Sequence, residues 1–117
     1  MQRQEMVERT KKLALRIIRL VTKLPKTDIA RVIGSQLLRS GTSIGANYRE
    51  AARSATKKHF TAILVTALRK ADETLYWLEL LAESNTVKPA LLSNLTSECN
   101  QVAAILAASV KKARQSP

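Results

Sequence analysis

The sequence is short of almost everything a small enzyme or a disulfide-stapled module needs. It has one cysteine and one histidine. A lone cysteine excludes an intramolecular disulfide, and with a lone histidine it leaves no ligand set for structural zinc. Glycine and proline number three each, so there is little loop material. The aromatics are only Tyr48, Phe60, Tyr76 and Trp77, so the core has to be built from Leu, Ile, Val and Ala, which suits helices better than sheets. Acidic residues are scarce too, with nine against twenty Lys and Arg. No apolar run reaches the ~18 residues that span a bilayer. The opening Met1-Gln2-Arg3-Gln4-Glu5 has no apolar signal core, which makes the cytoplasm the expected location. No strand-like alternation or hairpin turn is present.

What remains is a hydrophobic fraction of 45% over 117 residues, enough for one domain with a single core. Apolar residues recur at steps of three and four in four segments, about 5–24, 28–54, 57–83 and 89–114. In the first these are Met6, Leu13, Ile17, Leu20, Val21 and Leu24, and Pro25 closes the segment by disfavouring helical geometry at Leu24. Thr27 offers an N-cap to the second segment, whose apolar stripe reads Ile29, Ile33, Leu37, Ile44, Tyr48 and Ala51. Gly34, Gly41 and Gly45 all fall in this segment, each costing about 1 kcal/mol relative to alanine inside a helix. Close approach of another helix, a kink, or a break near Gly41 would account for them. Thr56 is the N-cap expected for the third segment, Ser84-Asn85-Thr86 a turn, and Pro89 a first helical residue for the fourth. Leu92, Leu95, Cys99, Val102, Leu106, Ser109 and Ala113 then form a heptad seam. Four helices with short connections predict an all-α, up-down-up-down antiparallel four-helix bundle filling residues 1–117.

The net charge is +11, which points to a polyanionic partner. Arg9, Lys12, Arg16, Arg19 and Lys23 fall within a sector of about 80° on the first helix, and Arg31, Arg39, Arg49 and Arg53 within about 80° on the second. Exposed helix faces usually mix charge signs, whereas these stripes are nearly one-signed, so both are candidate nucleic-acid contacts. Single-strand binders need exposed aromatics for base stacking, whereas Phe60 lies on the core stripe and the other aromatics read as partly buried, which favours structured RNA or duplex. No exposed apolar face is evident beside the lysines, as a membrane-surface helix would need. Replacing Arg9, Lys12, Arg16 and Arg19 by Gln is expected to flatten the salt dependence of binding with helicity unchanged.

Nothing reads as a catalytic site. His59 lies among lysines at a helix start, a poor setting for a general base, and Cys99 reads as a buried hydrophobe. Glu73, Glu79 and Glu98 are acids suited to pairing with arginines across helices. With Leu78 and Leu81 facing the core, Tyr76 and Trp77 point partly outward, as at a contact between copies of the chain. No cofactor or metal is expected.

Residues 36–51, Gln-Leu-Leu-Arg-Ser-Gly-Thr-Ser-Ile-Gly-Ala-Asn-Tyr-Arg-Glu-Ala, closely resemble the signature of bacterial four-helix-bundle proteins, some of them encoded in intervening sequences of 23S ribosomal RNA genes. Leu24-Pro25-Lys26, Lys57-Lys58-x-Phe60, the run from Asp72-Glu73-Thr74 through Tyr76-Trp77 to Leu81, and Glu98 match as well. The resemblance implies an antiparallel bundle assembling as a ring-like homopentamer. It is similar to the accessory variability protein of diversity-generating retroelements, a basic pentameric barrel that binds nucleic acid and associates with a reverse transcriptase. An adaptor docking such a protein is the alternative reading of function. The resemblance also implies inter-helix or inter-subunit hydrogen bonds from Arg39, Ser40, Asn47 and Glu50. Two departures are visible. Asn47-Tyr48-Arg49-Glu50-Ala51 stands where many members have Asn-Ile-Ala-Glu-Gly, and His59 stands where an acidic residue is common.

Overall fold

A computed structural model describes residues 2–115. They form four helices and no strand: α1 Arg3–Thr22, α2 Asp28–Ala52, α3 Lys57–Glu83 and α4 Pro89–Gln115. Cross-helix contacts run in opposite directions along α1 and α2 and along α1 and α4, and the short connections 53–56 and 84–88 fold α3 back on α2 and α4 back on α3, so the bundle is antiparallel, with dimensions of 49 × 20 × 19 Å.

Local chemistry sets the helix ends. The Thr27 hydroxyl accepts the Ala30 N–H at 3.2 Å and the Thr56 hydroxyl accepts that of His59 at 3.2 Å, each satisfying an orphan donor of a first helical turn. The α helix α1 stops at Thr22, two residues before the proline rule alone would place its end. The last turn tightens instead, with the Lys23 and Leu24 N–H groups bonding three residues back to Leu20 and Val21 at 3.0 and 3.2 Å. Asn85 takes φ 59° after α3, and the Asn85 and Thr86 N–H groups return to the Ala82 and Leu81 carbonyls, which is a Schellman closure.

The core is aliphatic. Leu13 and Ile17 of α1, Leu37 and Ile44 of α2, Leu64 and Leu78 of α3, and Leu92 and Leu106 of α4 are buried, each side chain contributing about 1.5–3 kcal/mol. The glycine-rich helix α2 is unbroken. Its glycines bring it against α1: a methyl group at Gly41 would overlap Ile17, and one at Gly45 would lie 3.3 Å from the Thr10 backbone carbonyl carbon. Thr10 is itself fully buried and bonds the Met6 carbonyl at 2.9 Å, so its hydroxyl makes no demand on the core.

Two details differ from the periodicity. Ile29, placed on the apolar stripe of α2, is 60% exposed because it sits in the first turn, at the end of the bundle. Leu15 and Ile18 occupy the outer face of α1, beside its cations, and are 41% and 42% exposed, an apolar patch that the helical repeat did not suggest.

Candidate functional site

The basic stripe of α1 runs along the edge that α1 shares with α4, and two of its members are engaged there. Arg9 Nε and Nη2 each donate to one oxygen of Glu98 at 2.8 Å, and Nη2 also reaches Gln101 Oε1 at 2.8 Å. Arg16 Nη2 donates to Asn94 Oδ1 at 2.6 Å. Side chains of the Arg9–Glu98 pair are only 23% exposed, so water competes weakly for the charge-assisted bonds. The hydrogen bond from Arg9 holds the Glu98 carboxyl below its ordinary range, and burial only partly opposes this. The Arg9 guanidinium is held above its own ordinary value by the same bond. Helix α1 touches α4 far less than it touches α2, so these polar bridges make up much of that seam. Helical spacing identifies the side of α1 on which Arg9 and Arg16 lie, but not their partners. Lys12, Arg19 and Lys23 of the same stripe are exposed and make no ion pair or side-chain hydrogen bond among the described residues.

The stripe of α2 faces away from α3, on the flank beside α1. Arg31 pairs with Asp28 at 2.7 Å, both largely exposed. Arg39, Arg49 and Arg53 are exposed and make no such bond among the described residues. Six cations on two adjoining sides of the bundle are therefore uncommitted. From Arg9 to Lys23 no acid interrupts the first stripe, and none falls between Arg31 and Arg49 in the second.

The polar motif of α2 divides in two. Ser40 is 3% exposed and receives the Thr74 hydroxyl of α3 at 2.9 Å, joining α2 to α3 inside the core. Asn47 donates to the Ser43 carbonyl of its own helix at 2.8 Å. Arg39 and Glu50 face solvent. On α3, Tyr76 is 53% exposed and stacks edge-on against half-buried Trp77, with ring centroids 5.1 Å apart.

His59 is exposed in the first turn of α3. Cys99 is fully buried, its Sγ 3.7 Å from the Ala71 carbonyl oxygen, and burial pushes its pKa up to about 12. Among the described residues, no group of three or more His, Cys, Asp or Glu side chains could hold a metal ion, and no helix is long and apolar enough to cross a membrane. A groove of about 580 Å³ lies between α1 and α4, floored by Leu20, Leu92 and Leu95, edged by the 73% exposed Leu91, and rimmed by Arg16, Arg19 and Lys23. The heptad seam did not reveal this groove, because Leu91 stands one position off the seam.

A family model described as 23S rRNA-intervening sequence protein matches residues 2–108. The fold is similar to a solved structure from Bacteroides thetaiotaomicron, described as a protein with unknown function from the S23 ribosomal protein family. The two chains are 32% identical, the match covers 95% of this chain and 99% of that one, and the TM-score is 0.87. No curated protein matches the sequence.

Proposed function

We propose that this chain, which belongs to the 23S rRNA-intervening sequence protein family, is a non-enzymatic bundle that binds structured RNA or duplex nucleic acid by charge and shape. The observation that carries the reading is the set of six exposed, uncommitted cations, Lys12, Arg19, Lys23, Arg39, Arg49 and Arg53. No acid falls among the three on α1 or between Arg39 and Arg49, and only Glu50 stands between Arg49 and Arg53; like charges held this near one another repel, and phosphates relieve that repulsion while releasing counterions. Neither stripe has an aromatic platform. Phe60 packs under Arg3, and the exposed Tyr76 and half-buried Trp77 lie on α3, off both stripes, so backbone contact with a duplex fits better than stacking on single strands.

Filter binding of a short RNA or DNA duplex across a salt series tests the reading. Affinity should fall linearly on a log–log plot with a slope of about −3 to −5, near 0.9 per phosphate contact. A salt-independent affinity, or no binding at low salt, would refute it.

The reading includes assembly into a homo-oligomer, with five subunits in a ring as the family resemblance implies. The exposed Leu15, Ile18, Ile29 and Val32 support it, since burying them between copies would remove a large apolar surface from water. Light scattering should give about five times the chain mass of 12.9 kDa; a monomer at micromolar concentration would overturn this part.

A second reading, a protein adaptor, is favoured by the groove between α1 and α4. Its apolar floor and basic rim suit an acidic amphipathic helix of a partner, of which a reverse transcriptase is one candidate. Co-purification that survives nuclease treatment supports this reading, and loss of the partner on nuclease treatment opposes it.

A further inference from the structure

We propose that the end of the bundle where α1 begins, α2 turns into α3 and α4 finishes holds a binding cleft for a phosphate group, separate from both basic stripes. The cleft has a volume of about 500 Å³ and draws Arg3 from α1, Tyr48 from α2, Thr56 at the start of α3 and Lys112 from α4. Among the described residues no carboxylate lines it. The 27-residue helix α3 opens onto it, and its amino end adds the positive pole of a long helix.

Tyr48 is the observation that points to a ligand. It is 94% buried, being only 6% exposed, yet its hydroxyl makes no hydrogen bond among the described residues. No fully enclosed side-chain oxygen or nitrogen there lacks a partner. The hydroxyl therefore keeps contact with solvent, and Tyr48 is one of the residues lining the cleft. Burial raises its pKa, so at neutral pH the phenol keeps its proton and donates.

Arg3 is the second donor. Its guanidinium carbon lies 4.5 Å from the centroid of the Phe60 ring. The contact over the ring face restrains the group, and its N–H groups make no hydrogen bond among the described residues, which leaves them for the oxygens of a phosphate. Lys112 adds a second charged side chain, from a different helix. Ser54 and Ser109 do not compete, because their hydroxyls already donate to the Glu50 and Ile105 carbonyls. The volume exceeds that of one phosphate, so the group can arrive as inorganic phosphate or at the end of a strand.

Titration of the full chain at constant ionic strength, followed by backbone amide NMR, tests the cleft with three probes: inorganic phosphate, a 5′-phosphorylated dinucleotide and its 5′-hydroxyl counterpart. The expected result is saturable shifts confined to residues around Arg3, Tyr48, the start of α3 and Lys112, with Tyr48→Phe and Arg3→Gln each weakening binding about fivefold or more. Tighter binding of the phosphorylated dinucleotide than of inorganic phosphate identifies a strand terminus as the source, and the reverse order identifies the free anion. Shifts spread over all basic residues, no saturation, or unchanged affinity in folded Tyr48→Phe would overturn the proposal. Because none of these residues lies in a stripe, loss of duplex binding and loss of phosphate binding are separable results.

Discussion

Arg9 of α1 grips Glu98 of α4 fork to fork, two nitrogens on two carboxylate oxygens at 2.8 Å each. The pair spans the thinnest seam of the bundle and fastens its most basic helix. It also takes one cation out of the stripe that charge spacing alone assigns to a ligand.

A double-mutant cycle measures that fastening. With Arg9→Gln, Glu98→Gln and the double variant, urea denaturation should return a coupling of about 1–2 kcal/mol, above the few tenths of a solvated surface pair. Additive single effects would show that the pair contributes nothing beyond its separate parts.

The same pair gives a pH dependence with a defined sign. Glu98 titrates below its ordinary 4.5 because Arg9 bonds its charged form. Its stabilising contribution is therefore complete above that value and is lost as pH falls through the lowered one. The melting temperature of the wild type should exceed that of Glu98→Gln at neutral pH, and the gap should narrow as pH drops from about 5 towards 3. A gap that is constant across this range would contradict the assignment.

Gly41→Ala should destabilise the fold. The gain of about 1 kcal/mol in helix propensity is outweighed by overlap with fully buried Ile17, for a net loss of about 1–3 kcal/mol. Adding Ile17→Val should not deepen the loss by the usual cost of that change, since it makes room. Thermal melts of the single and double variants would decide it.

Cys99 should be inert while the protein is folded. A thiol with no exposed surface and a pKa pushed up to about 12 presents almost no thiolate at pH 8. An aromatic disulfide reagent should react with it only at the rate of unfolding, and prompt reaction in native buffer would show that the α3–α4 interface opens.

Much of the architecture was legible in the sequence, because it is written in local rules. The steps of three and four, the Thr27 and Thr56 caps, and the glycines of α2 each have a short-range cause that survives folding unchanged. The close approach at Gly41 and Gly45 was legible as a cost needing repayment, although Ile17 and Thr10 could not be singled out as the groups filling the space. Ile29 was misplaced because a helical wheel carries no information on where the bundle ends. Arg9 and Arg16 have the same spacing as Lys12 and Arg19. What separates them is the presence of Glu98, Gln101 and Asn94 on α4, nearly eighty or more residues away in sequence. Glu98 was recognisable as an acid suited to an arginine, but the choice of arginine depends on the packing of the finished bundle. The Tyr48 cleft was hidden for the same reason: its walls come from the two termini of the bundle helices and a turn between them.

The structure also changes which residues test the nucleic-acid reading. Replacing Arg9 or Arg16 would disturb the α1–α4 seam together with the charge, so the decisive variant is Lys12→Gln, Arg19→Gln and Lys23→Gln combined. Its control carries Lys26→Gln, Arg69→Gln and Lys88→Gln, with the same net charge and both stripes intact. Duplex binding of the two variants should be compared across a salt series. The account predicts a log–log slope shallower by about 2–3 for the stripe variant, and a near wild-type slope for the control. Equal slopes for the two variants would contradict it.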